Sequence, residues 1–277
     1  MKILLTITSV IIISSVAICQ DLPKGAITKE IDLNPYFSGY RGCFVLYDFG
    51  KNEYSQYNPE ICSTRYTPCS TFKIPNSLIA LESGVANDTT FIIKYDSTKH
   101  PIAAEMLNRE PFKYWAYDQS MTSAFHHSVV WYYQELAKKT GETRMQRFID
   151  TLRYGNKDIS SGIDHFWLGG SIKISANEQV EFIKRLVGDH LNGFSVRTQE
   201  KVKGIMLGET TERYKLYGKT GGCDCGIDSA IGWYVGFVDT RSNTYIFALN
   251  IFAKSFDELK GKRVELTKQI LLGIGVL

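Results

Sequence analysis

The sequence predicts an α/β protein of the α+β type: one antiparallel sheet built from N-terminal and C-terminal segments, flanked by helices, with a helical insertion lobe between them. Runs rich in aromatic and β-branched residues lie near both ends of the chain, at 42–48 and 53–57 and again at 231–238 and 244–252. Between them, apolar residues recur at helical spacing. No internal repeat or low-complexity stretch divides the chain.

Taken in order, Gly42-Cys43-Phe44-Val45-Leu46-Tyr47-Asp48 reads as a strand, and Gly50-Lys51-Asn52 as the turn into a second strand over 53–57. From Phe72 a helix carries Ile74, Leu78 and Leu81 on one face and stops at Gly84, with Pro75 early enough that its missing N–H costs little. Val129, Tyr132, Tyr133 and Leu136 mark a second helix that closes on Lys138-Lys139-Thr140-Gly141. A third opens with the capping box Ser175 and Glu178, carries Val180, Ile183 and Val187, and ends before Gly188. The strands at 231–238 and 244–252 flank the loop Asp239-Thr240-Arg241-Ser242-Asn243, and a terminal helix occupies 259–272.

Residues 1–19 read as a secretory signal peptide: Lys2, an apolar run from Ile3 to Ile13, then Ser14 and Ser15 leading to Ala17-Ile18-Cys19. An uncleaved anchor is one alternative; a lipid-modified Cys19 is another, weakened by the bulk of Ile18. Residues 20–277 then form a single domain, with a sheet lobe over about 20–69 and 205–277 and a helical lobe over about 70–204. The mature protein is expected to be exported, periplasmic or secreted, with no membrane span. The formal charge of +3 falls to +2 with Lys2 removed, too small and scattered for nucleic acid. Five cysteines remain after export, Cys43, Cys62, Cys69, Cys223 and Cys225, and an odd count leaves a free thiol or an intermolecular link. Cys43 and Cys62 could bridge, but the pairing stays open. Cys223-Asp224-Cys225 lacks the second ligand pair that zinc needs, so no metal is expected.

The chemistry concentrates at Ser70-Thr71-Phe72-Lys73. A serine hydroxyl is nearly inert at neutral pH and needs a base, and a lysine three residues on along a helix shares its face. At a helix N-terminus, Ser70 also has free N–H groups and the positive dipole end beside it, which favour an oxyanion. The segment therefore points to acyl transfer through a serine. Ser128-Val129-Val130 and Lys219-Thr220-Gly221 follow in the chain. A second such tripeptide, Lys139-Thr140-Gly141, is only a helix end, because it closes a helical run whereas Lys219 lies in strand-like sequence.

Ser-x-x-Lys, a second serine motif and Lys-Thr-Gly occur in this order in penicillin-interacting enzymes. The stretch Tyr66-Thr67-Pro68-Cys69-Ser70-Thr71-Phe72-Lys73-Ile74-Pro75-Asn76-Ser77-Leu78, with Tyr154-Gly155-Asn156, Trp167 and Gly232-Trp233-Tyr234-Val235-Gly236, resembles the class D β-lactamases from about residue 40 onward. The resemblance implies the same two-lobed architecture, with the site in the cleft between the lobes: Ser70 at a helix start, Ser128 from the helical lobe and Lys219 on the facing edge strand. It implies that Ser70 attacks a β-lactam to give an acyl-enzyme, and that Lys73 carries a CO2-derived carbamate (N6-carboxylysine) stabilised by Trp167 and Val130, no prosthetic group being needed. It further implies that Ser128 relays a proton to the lactam nitrogen with Lys219 beside it. The N–H groups of Ser70 and Gly222 would form the oxyanion hole. Thr220 and Gly221, with Lys219 and Arg263, would hold the substrate carboxylate, although Arg263 lies in a charged stretch that could be a solvated face. Tyr154-Gly155-Asn156 would shape the loop that carries Trp167.

One departure stands out: Gly222-Cys223-Asp224-Cys225-Gly226 is smaller and more polar than the bulky continuation usual in the family, which would widen the cleft mouth. The expected function is a secreted serine β-lactamase acting on penicillin-type small molecules. A β-lactam-binding sensor and a cell-wall transpeptidase or carboxypeptidase are the alternatives; substrate spectrum, turnover rate and oligomeric state stay open.

Overall fold

The structure, a computed structural model, describes residues 22–23, 25–224 and 230–277. The expected signal segment at 1–19 and Cys225 lie outside the described residues. The elements, in chain order, are β1 (Ile27–Glu30), β2 (Arg41–Asp48), β3 (Glu53–Tyr57), α1 (Pro59–Ser63), a 3₁₀ turn (Cys69–Phe72), α2 (Lys73–Glu82), β4 (Ile92–Ile93), β5 (Gln119–Ser120), α3 (Met121–His126), α4 (Val130–Thr140) and α5 (Glu142–Leu152). Then come α6 (Ala176–Val187), α7 (Val196–Met206), β6 (Leu207–Thr210), β7 (Tyr214–Asp224), β8 (Ala230–Thr240), β9 (Thr244–Ala253), α8 (Phe256–Leu259) and α9 (Lys262–Gly273).

One sheet has the order β1-β3-β2-β9-β8-β7-β6. The β2–β3 hairpin turns through Asn52, whose φ of 55° is left-handed, and β2 lies antiparallel to β9 from Arg41↔Phe252 to Asp48↔Tyr245. The two ends of the sequence therefore share a sheet, as their composition predicts. The sheet is not wholly antiparallel, because β1 runs parallel to β3. Leu33 and Phe37, buried between β1 and β2, anchor the connecting segment so that β1 arrives on the outer side of the hairpin.

Helix α2 follows the sequence reading closely, ending at Ser83 with Gly84 at φ +73°, and α4 ends before Gly141 at φ +78°. Helix α6 has both halves of its capping box: Glu178 N–H donates to Ser175 Oγ, and Ser175 N–H donates to a Glu178 carboxylate oxygen. It packs on the sheet, where Gln56 Nε2 donates to Asn177 Oδ1 over 2.6 Å. The opposite face is covered by α9 through Leu266, Ile270 and Leu271. The helix expected over 259–272 is two helices, α8 and α9, parted at Lys260 and Gly261. Among the described residues no helix is long and apolar enough to cross a membrane.

The tie between the sheet and the turn that carries Ser70 is a tryptophan. Trp233 of β8 is fully buried and donates its Nε1–H to Thr67 O over 2.9 Å, fixing the segment that leads into the 3₁₀ turn. Asn156 anchors the loop carrying Trp167, donating to Ser171 O and accepting from Lys173 N, each over 2.9 Å.

Candidate active site

Ser70 lies in the 3₁₀ turn that runs directly into α2, one turn earlier than an α-helical N-terminus would place it. Lys73 is the first residue of α2, and its Nζ donates to Ser70 Oγ over 3.0 Å. The lysine is fully buried, and burial, opposed only in part by the Cys69 thiol, brings its pKa from 10.5 down to about 7. Its surroundings explain why: Nζ lies 5.2 Å from the centre of the Tyr133 ring, and the neighbouring Phe72 stacks on Trp167 at 5.4 Å. Trp167 is itself fully buried, yet its indole N–H has no hydrogen-bond partner. Such an orphan is uncommon, because a buried donor left unpaired costs about 1–3 kcal/mol.

Ser128 sits between α3 and α4 with φ of +53°, a left-handed conformation for which a non-glycine residue needs surrounding support. Backbone bonds from Ser128 N to Phe125 O and from Val129 N to Ala124 O supply it. Val129 occupies the N-cap of α4, so Ser128 is not a capping serine. Its Oγ instead accepts from Lys219 Nζ over 2.5 Å, and the same nitrogen donates to Thr220 O over 2.9 Å. Burial lowers the Lys219 pKa well below its ordinary value, and the positive charges of Lys73 and Arg263 lower it further.

The sequence placed Lys219 on the edge strand of the sheet. β7 is in fact the second strand from the edge, since β6 pairs beyond it. That pairing covers only Lys215 to Tyr217, so the half of β7 that carries Lys219 to Asp224 borders the cleft directly. At Gly221 the strand presses on the turn that carries Ser70: a Cβ there would stand 2.8 Å from Pro68 O and 3.0 Å from Thr71 N.

A cavity of about 400 Å³ is lined by Ser70, Ser128, Val130, Thr220, Gly221, Gly222 and Arg263. Lys73, Lys219 and Trp167 stand behind this wall. Arg263 is not on a solvated face: it is 8% exposed, donates from Nη1 to Gly221 O over 2.6 Å and from Nε to Leu259 O over 3.2 Å. Burial lowers its pKa to about 10, still far above neutrality. The mouth contains residues that no motif announced, among them Phe112, Trp115, His126, Leu168, Phe256 and Lys260. For Phe112 and Trp115 the sequence signal was the aromatic-rich stretch at 112–117. Beside the small residues after Gly221, where the sequence implied a wider mouth, Phe256 fills the space; a Cβ on Gly222 would stand 2.5 Å from its ring. Arg109 and Asp257 pair across the rim through two 2.9 Å contacts.

Cys43 and Cys62, the candidates for a bridge, are buried free thiols, with Cys62 Sγ donating to Tyr57 O over 3.2 Å. Cys223 is in a disulfide, and its sulfur lies 2.8 Å from that of the buried thiol Cys69. Among the described residues no group of three or more His, Cys, Asp or Glu side chains is arranged to hold a metal.

Comparison with known proteins agrees with this geometry. Residues 42–271 match the penicillin-binding-protein transpeptidase domain. The chain is 36% identical to the probable β-lactamase YbxI of Bacillus subtilis, over 90% of this chain and 86% of that protein. It is 38% identical to the β-lactamase OXA-48 of Klebsiella pneumoniae, over 86% of each. The C-terminal domain of the Bacillus licheniformis BlaR penicillin receptor superposes with a TM-score of 0.82 at 30% identity, over 93% of this chain and all of that domain. With its fold and most of its length shared with such proteins, the chain belongs to the penicillin-binding-protein transpeptidase family and, within it, to the class D β-lactamases.

Proposed function

We propose that the protein hydrolyses penicillin-type β-lactams through an acyl-enzyme on Ser70. The observation that carries this reading is the buried Lys73 amine, 3.0 Å from Ser70 Oγ, with a pKa of about 7. At neutral pH a large fraction of that amine is unprotonated and can take the serine proton as Oγ attacks the lactam carbonyl. The N–H groups of Ser70 and Gly222 receive the developing oxyanion. As the ring C–N bond breaks, Ser128 gives its proton to the lactam nitrogen and regains one from the Lys73 ammonium, so that the proton taken from Ser70 ends on the leaving nitrogen and Lys73 is again neutral; Lys219, bonded to Ser128 Oγ, holds that hydroxyl in place. Thr220 and the N–H groups of Arg263 not used within the protein take the substrate carboxylate.

Deacylation needs a base for water. The partnerless Trp167 N–H and the Val130 wall suit a carbamate formed from CO2 on Lys73, which would supply an anionic general base. Export to the periplasm or medium, after removal of residues 1–19, belongs to the same reading.

The likeness to the BlaR receptor domain favours one second reading, a sensor that is acylated and releases the acyl group slowly. Intact-mass measurement of the protein mixed with a penicillin separates the two. An adduct that clears while penicilloate accumulates supports the hydrolase; one that persists supports the sensor. Absence of any adduct on folded protein, or an undiminished adduct in Ser70→Ala, would sink both.

A further inference from the structure

Arg263 reaches the cleft by a route that only glycines permit. It starts on α9, beyond the sheet, and its stem crosses β8 at Gly232, where a Cβ would stand 2.9 Å from Arg263 Cδ and 3.0 Å from Cγ. Gly232 is the β8 partner of Gly222. The guanidinium then lies 5.1 Å over the Phe256 ring, with Nε held by Leu259 O and Nη1 on Gly221 O. These two bonds leave the rest of its five N–H donors for other partners.

The bond to Gly221 O acts on a particular peptide. In a trans peptide the carbonyl and the N–H point in opposite directions, and the only cis peptide among the described residues is Glu110-Pro111. A cation gripping Gly221 O therefore orients the Gly222 N–H away from itself, and by polarising the amide makes that N–H a stronger donor. From the other side the strand abuts Pro68 O and Thr71 N, in the turn that carries Ser70.

We propose that Arg263 is a positioning residue for the oxyanion hole: it fixes and polarises the Gly221–Gly222 peptide, a role separate from holding the substrate carboxylate. The inference rests on the reading of Gly222 as an oxyanion donor. A carboxylate ligand matters only to substrates that carry a carboxylate; a residue that positions the hole matters to all of them.

The test measures acylation rates of the full chain with a penicillin and with its methyl ester, and records the infrared stretch of the acyl carbonyl in the adduct of the free acid. Arg263→Met keeps the apolar stem and removes the donors; Gly232→Ala keeps the guanidinium and displaces its stem. Both are expected to slow acylation by acid and ester alike, by about tenfold or more, since loss of a whole oxyanion donor costs ~10²–10³. Both should also raise the carbonyl frequency, and thermal melting identifies the variants that fold. An ester acylated at the wild-type rate, or an unmoved carbonyl band in a folded variant, overturns the proposal and leaves Arg263 as a carboxylate ligand. Wild-type protein that is acylated by neither compound overturns the catalytic reading itself, and this inference with it.

Discussion

Two buried lysines stand behind the wall of one cleft and are built in opposite ways. Lys73 finds its partner three residues away, across a single helical turn, and its walls are aromatic. Lys219 finds Ser128 across 91 residues of sequence, and holds a second oxygen, Thr220 O, at the same time. Burial depresses both pKa values, but Lys219 also feels the charges of Lys73 and Arg263. The difference teaches that the helix side of the cleft is a matter of chemistry, fixed by local spacing, while the strand side is a matter of geometry, fixed by docking of distant segments. Substitutions on the first should change reactivity in an intact fold; those on the second should change distances.

The strongest break comes from Lys73→Met. Removing the base is expected to lower acylation by ~10²–10⁴, measured by stopped flow, while the apolar replacement raises the melting temperature at pH 7, because a buried ionisable amine is exchanged for a side chain that needs no desolvation. A lowered melting temperature would show that Lys73 is structural after all. On the strand side, Gly221→Ala forces β7 away from the nucleophile's turn, and a displacement near 1 Å is worth about 10² in rate. The expected signature is a fall in kcat with a smaller change in melting temperature. If activity is retained, the strand's close approach is dispensable.

The pH dependence sharpens the contrast. Acylation in CO2-free buffer should fall about tenfold per unit below pH 7, as Lys73 gains a proton. For stability the sign is the reverse of a salt-bridged lysine. The folded pKa of about 7 lies below the unfolded value of 10.5, so between them the unfolded chain binds a proton that the folded one refuses. Stability contributed by this group therefore rises with pH from about 7 to 10.5, and the penalty is complete below 7. Urea melts of wild type against Lys73→Met across that window isolate it; parallel curves would contradict the assignment. The smallest effect belongs to Arg109→Ala at the rim, where an exposed pair is worth about 0–1 kcal/mol. A change of only a few fold in kcat/KM is expected, with high salt mimicking it in wild type.

What the sequence revealed follows the same division. The capping box of α6, the glycine ends of α2 and α4 and the Ser70–Lys73 pair were legible because all their partners lie within a few residues. Arg263 was not. Its neighbours Lys260 and Lys262 mark a solvated face, and what buries it is Gly232 and Gly221, far away in the chain. The parallel pairing of β1 was hidden for a similar reason, since it depends on where Leu33 and Phe37 anchor, and β1 has no buried residue of its own to set a pattern. Helices α5 and α7 went unread, although α5 begins directly after the glycine that closes α4.

The pairing of β2 with β9 bears on how the molecule comes into being. Strands early in the chain acquire their central neighbour only when nearly all of it has been synthesised, a high-contact-order arrangement that slows folding. β7, carrying Lys219 and Gly222, is held between β8 and the turn that carries Ser70, and so takes its place in the same late event. Until then Lys73 is solvated and fully protonated, and Ser70 is an ordinary alcohol. A chain caught before closure is thus chemically silent, and regain of acylation during refolding reports completion of the whole sheet.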